Sequence, residues 1–230
     1  MITRRFNLQS LADLFKSFSL ALPLFLLTVT ASAQTNSSAT AVPGPIESPK
    51  HEWAFGASIY GYLVPHERDY VNPNLTADHG LLHLEGRYNY EAIDSGSIWA
   101  GCNLSVGHEW VFDATPMLGG IFGSVSGVAP GSNLSLSFKG FTLSSQNEYF
   151  FDSAGSSGNF FYTWSELTYS PCTWFRAGFA AQRTKAYQTK LDVQRGLMAG
   201  ITYKKLDFAT YVFNFGWTEP TVVLAMSVTY

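Results

Sequence analysis

Charged residues are scarce, 13% of a 230-residue chain, and there is no basic excess: 14 Lys and Arg stand against 17 Asp and Glu. That balance argues against a nucleic-acid partner, which would call for a basic face. Cysteine is nearly absent, and Cys102 and Cys172 alone make no disulfide framework even in an oxidising compartment. Beyond residue 33 no run approaches the roughly 20 apolar residues of a membrane-spanning helix, and hardly any stretch keeps a helical period. Catalytic motifs are missing as well. No Gly-x-Ser-x-Gly or His-Glu-x-x-His pattern occurs, and "GSVSG" carries Val125 at its centre. The histidines are His51, His66, His79, His83 and His108. His79 and His83 have metal-ligand spacing for a helix, but on a strand they stand about 13 Å apart, so neither a metal nor a cofactor is implied.

What is present begins with a basic leader (Arg4, Arg5, Lys16), an apolar run "LALPLFLLTVTA" and the small-residue sequence Ala31-Ser32-Ala33. This is the pattern of a secretory signal peptide, residues 1–33, whose apolar part is too short to span a bilayer. Its removal, with Asp13, leaves 11 basic against 16 acidic residues. Residues 34–51, rich in Ser, Thr, Pro and Ala, read as a flexible periplasmic leader. Residues 52–230 read as one domain.

Within that domain, side chains alternate with period two in eleven segments: 52–63, 81–91, 96–106, 109–122, 133–139, 141–152, 159–169, 172–184, 191–203, 206–216 and 220–230. Most reach the roughly 9–11 residues of a tilted membrane strand. Very short links (Gly107-His108, Lys139-Gly140, Ser170-Pro171, Lys204-Lys205) alternate with longer ones such as 123–131 and 152–159, as short periplasmic turns and longer outer loops do in membrane barrels. An even count requires residues 68–78 to be a strand too, despite Pro73, which cannot donate to a ladder. The expectation is an all-β, up-and-down antiparallel transmembrane barrel of twelve strands, with ten as the alternative.

The final segment, "PTVVLAMSVTY", places Val222, Leu224, Met226, Val228 and Tyr230 on one apolar face. A signal peptide, alternating strands throughout and a last strand ending on an aromatic residue together resemble the Gram-negative outer-membrane β-barrel proteins. The resemblance is architectural and carries no functional motif. It implies a bacterial outer-membrane location and a final strand, Val222 to Tyr230, that the barrel assembly machinery reads.

Charged side chains avoid the lipid face, so the ladder His83, Glu85, Arg87, Asn89 and Glu91 is expected to line a lumen, with Leu82, Leu84, Tyr88 and Tyr90 facing lipid. The same parity places Asn103, Asp113, Gln146, Glu148, Glu166, Arg176 and Gln182 inside. Trp53, Trp99, Trp110, Tyr169, Trp174, Tyr203, Trp217 and Tyr230 fit aromatic girdles. Glu166 shares its face with Phe160, Tyr162 and Trp164, which means either aromatics in the lumen or a bulge that switches the face, the bulge or simple packing being favoured over a sugar-stacking role.

About twelve strands lie between filled and aqueous barrels. This leaves two readings: a narrow passive channel for small polar solutes, its preference set by lumen acids, or a structural barrel plugged by pairs among Glu85, Arg87, Glu148, Glu166 and Arg176. An outer-membrane lipid-modifying enzyme is the alternative. Partners are outer-membrane lipid and lipopolysaccharide, whose phosphates Arg183, Lys185, Lys190 and Arg195 would meet around one outer hairpin.

Overall fold

The computed structural model describes residues 52–183, 193–216 and 219–230. The signal peptide, the leader, Lys185, Lys190 and Trp217 lie outside the described residues. Among the described residues no helix is long and apolar enough to cross a membrane. The chain instead runs through β1 (Ala54–Leu63), β2 (Tyr70–His79), β3 (Leu82–Tyr88), β4 (Ser95–Cys102, resuming as Leu104–Gly107), β5 (Val111–Gly123) and β6 (Gly127–Phe138). It continues through β7 (Phe141–Asp152), β8 (Phe160–Cys172), β9 (Phe175–Arg183), β10 (Gln194–Tyr203), β11 (Leu206–Phe213) and β12 (Thr221–Thr229). Each strand pairs antiparallel with its sequence neighbours, and β1 pairs with β12 from Gly56↔Thr229 to Leu63↔Val222. Reciprocal bonds between Phe55 and Tyr230 (3.1 and 2.8 Å) extend that seam. The twelve-strand expectation therefore holds, and the sheet closes without an edge.

The prolines show how a closed ladder tolerates missing donors. Pro73 pairs with Ile59 of β1, but the β2–β3 register stops at Asn74↔Arg87, just short of it. Pro116 pairs with Ser132 of β6, and on its other side β4 is interrupted at Asn103. The register is unchanged across that gap (Gly101↔Met117, then Leu104↔Ala114), so β4 is one wall strand. Pro130 pairs with Leu118 where the β6–β7 register skips from Val128↔Phe151 to Gly131↔Glu148. Each proline sits where one of its two ladders is locally open, the barrel's equivalent of an edge position.

Boundaries differ from the sequence reading at several links, two of them in the middle of the chain. Residues 127–131, read as part of a loop, are strand: Ala129 is buried inside and Val128 is exposed outside, an alternation disguised by small residues. The link read at Ser170-Pro171 falls at Thr173-Trp174, because β8 runs on to Cys172. Cys102 and Cys172 are free.

The exterior is apolar around the wall. Leu75, Ile98, Leu118, Leu143, Phe179, Leu197 and Ile201 are exposed, and Trp53, Trp110, Tyr169, Trp174, Tyr203 and Tyr230 ring the rim of short turns. Val222, Leu224, Met226, Val228 and Tyr230 alternate with inward Thr221 and Val223, which are buried. Trp99 is not a girdle residue: it shares its face with Ser97, points inward and is fully buried. Gly119 makes room for it, since a Cβ there would land on the indole.

Candidate functional site: an occluded lumen

The interior has two unlike halves. Toward the short turns it is lined by half-exposed polar side chains, among them Thr76, Asp78, Asn103, Asp113, Thr115, Asn133, Ser135 and Arg176. Toward the longer loops it is filled. Phe150, Phe160, Tyr162, Trp164, Tyr211 and Phe213 are buried there and pack ring on ring, with Trp164 edge-on to Tyr211 and Phe213 at 5.0 and 5.4 Å. The β7–β8 register is unbroken from Phe141↔Tyr169 to Phe150↔Phe160. Aromatics therefore enter the lumen with Glu166 and no bulge switches the face; the one register shift nearby lies between Phe175 and Ala177.

Arg87 sits at the boundary between the halves, 4% exposed. Its Nη1 donates to Glu148 Oε2 at 2.9 Å and its Nη2 donates to Glu85 Oε2 at 2.9 Å. Its Nε lies 2.9 Å from Glu85 Oε1 without hydrogen-bond alignment. The guanidinium also lies 4.4 Å from the Tyr90 ring and 4.5 Å from the Trp99 ring, the stacking that favours arginine over lysine at a buried site. Glu91 completes the cluster, 3.9 Å from Arg87 and accepting a 2.6 Å bond from Ser97, whose hydroxyl in turn accepts from Trp99 Nε1 at 3.0 Å. Three carboxylates thus surround one guanidinium. Glu91 Oε2 and Glu148 Oε1 are buried without a hydrogen-bond partner among the described residues, and burial holds the Glu91 carboxyl above its ordinary range. His83 stands below, bonded to Asp78 at 2.7 Å and 3.5 Å from Glu85.

The period-two pattern carries the ladder through residue 91 as one strand. In the structure the strand ends at Tyr88, and Asn89 adopts a left-handed conformation (φ 57°), which asparagine tolerates better than most residues. Asn89 is half-buried in the turn, donating to Val71 O and accepting from Asp94 N, and is not a wall residue. That turn takes the residues after it off the strand's alternation. Tyr90, read as lipid-facing, points inside and its hydroxyl bonds Gln146, while Glu91 reaches the cluster from a loop. Tyr62, Tyr70, Asn72, Tyr90, Glu91 and Tyr162 line a cavity of about 240 Å³ at this mouth.

The remaining residues form smaller groups. Arg176 pairs with Asp207, which also accepts from Thr202, and Glu166 accepts from Trp164 Nε1 (2.7 Å) and Tyr211 (2.9 Å). Glu166 and Arg176 therefore stand apart from the Arg87 cluster. Asn103 donates to Asp78 (2.6 Å) and accepts from Thr115, Asp113 accepts from Ser105, and Gln182 bonds Gln194 at 2.7 Å. Asp207, Tyr211 and Trp99 escaped the sequence reading as lumen residues because their strands mix aromatic and polar groups on the inner face. Arg183 and Arg195 lie outside, at positions opposite Thr163 and Ala181. No group of three or more His, Cys, Asp or Glu placed to hold a metal occurs among the described residues.

No family model and no curated protein matches the sequence. Among solved structures, the KdgM porin is similar with a TM-score of 0.50 at 11% identity, over 76% of this chain and 98% of that one. The same porin in complex with disordered oligogalacturonate gives the same figures. At that identity the likeness shows the fold: a closed, twelve-strand antiparallel barrel like that of a porin.

Proposed function

We propose that the protein is an integral barrel of the bacterial outer membrane and forms a narrow channel for small polar solutes, closed in its outer half by side chains. The observation that carries this reading is the division of the lumen. A polar, half-exposed lining leads from the short-turn rim to a constriction whose last groups, Tyr90 and Glu91, hang from the 89–94 loop rather than from the wall. Withdrawing that loop would remove a ring and a carboxylate without breaking a strand ladder. The apolar belt and its aromatic rim support the membrane location. In that membrane the strand Val222 to Tyr230 would be read by the assembly machinery. The porin seen with oligogalacturonate engages an acidic sugar chain. Here Glu85, Glu91 and Glu148 outnumber Arg87, which favours cations and neutral solutes. The lipid-modifying alternative draws no support from the comparisons.

Planar-bilayer recording of the full chain tests the channel. Small stepwise currents with cation preference are expected, with weaker preference in Glu148→Gln, little change in Glu166→Gln, and more frequent opening in Asn89→Ala. Silence in all of them, from protein that is folded, would leave the plugged structural barrel, for which the fully buried Phe150 and Phe213 already speak. We also propose that Arg183, Lys185, Lys190 and Arg195 contact lipopolysaccharide phosphates. Changing all four to Gln should reduce co-purifying lipopolysaccharide several-fold, and unchanged retention would remove the proposal.

A further inference from the structure

One stretch of the lipid-facing wall is polar. Ser145 and Asn147 of β7 share a face with exposed Leu143 and Tyr149, and Thr163 and Ser165 of β8 share one with exposed Phe161 and Leu167, so all four point outward. Their side chains form one hydrogen-bonded string across the two strands. Ser165 Oγ lies 2.9 Å from Ser145 Oγ, Asn147 Nδ2 donates to Ser145 at 3.0 Å, and Thr163 donates to Asn147 Oδ1 at 2.8 Å. Ser132, opposite Asn147, and Ala181, opposite Ser165, keep the surrounding surface low.

Hydrocarbon offers no partner for the hydrogen-bonding capacity left over, which includes the second Asn147 amide hydrogen and hydroxyl lone pairs. Polar side chains at such depth are found facing protein rather than lipid. We infer that this patch is where a second copy of the chain docks. The patch is uncharged, and each of its hydroxyls and its amide both donates and accepts. Two identical patches related by a two-fold axis can therefore satisfy each other, as an isologous contact requires. Small side chains also allow two walls to approach closely, the condition for polar contacts between membrane segments.

The inference rests on the membrane reading above, and its test separates the two. Cys102→Ser and Cys172→Ser leave a cysteine-free chain, into which Ser145→Cys is introduced and oxidised in intact cells. A crosslinked product of twice the chain mass is expected in the outer-membrane fraction, several-fold stronger than from a Leu75→Cys control on β2, across the barrel. No product, a product of another mass, or equal crosslinking from the control overturns the interface. Recovery of the chain in a soluble fraction instead overturns the membrane reading. In detergent, the unmodified chain should sediment as a dimer, and Ser145→Leu with Ser165→Val as a folded monomer. If that variant does not fold, the crosslinking comparison still decides.

Discussion

Replacing Arg87 with methionine is expected to lower the unfolding free energy by about 3–5 kcal/mol, the range for removing one partner of a buried ion pair. The methionine fills similar space, but Glu85 and Glu148 lose their 2.9 Å donors and Glu91 loses its nearest cation. Adding Glu85→Gln and Glu148→Gln to Arg87→Met should restore much of the loss, because the penalty lies in stranded carboxylates rather than in the missing guanidinium. Arg87→Lys should recover less than this triple variant: an ammonium cannot serve two carboxylates in a fork while stacking between Tyr90 and Trp99. Urea titration of the refolded barrel in vesicles reads all three. A loss below about 1 kcal/mol for Arg87→Met would mean that the carboxylates are not held as a charged cluster, contrary to the packing around them.

The second large effect is expected at Trp99. Truncation to alanine should cost about 3–5 kcal/mol, as for other fully buried aromatic residues. It removes a ring that is 0% exposed, sits over Gly119 and stacks on Arg87. Its Nε1 bond to Ser97, and through Ser97 the anchor of Glu91, goes with it. If the outer half of the lumen is the closing element of a channel, the same variant should conduct at several times the wild-type single-channel level. Destabilisation without conductance would mean that the remaining aromatics, Tyr162 and Trp164 foremost, close the lumen unaided.

Much of the wall was legible because a strand writes its two faces into alternate residues. The segments 141–152 and 206–216 declare themselves by that period alone, and even Pro73 did not hide the second strand, since one open ladder suffices to seat it. The alternation fails as a guide where both faces carry similar residues. Gly127 to Gly131 escaped notice among other small residues, and Phe160, Tyr162 and Trp164 did not declare a face because aromatics suit lumen packing as well as lipid. Residues near Asn89 could not be placed at all by period, since a single left-handed residue turns Tyr90 from the outer face to the inner.

From the sequence alone, then, came the class of fold, the number of strands and the outward face of most of them, because those depend on local periodicity and on what lipid tolerates. Only the tertiary structure decided that Glu148, distant in the chain, joins Glu85 and Glu91 on one arginine, and that Arg176 turns instead to Asp207. Closure of the barrel sets which inward side chains meet across the lumen. That depends on register and curvature, which no local pattern records.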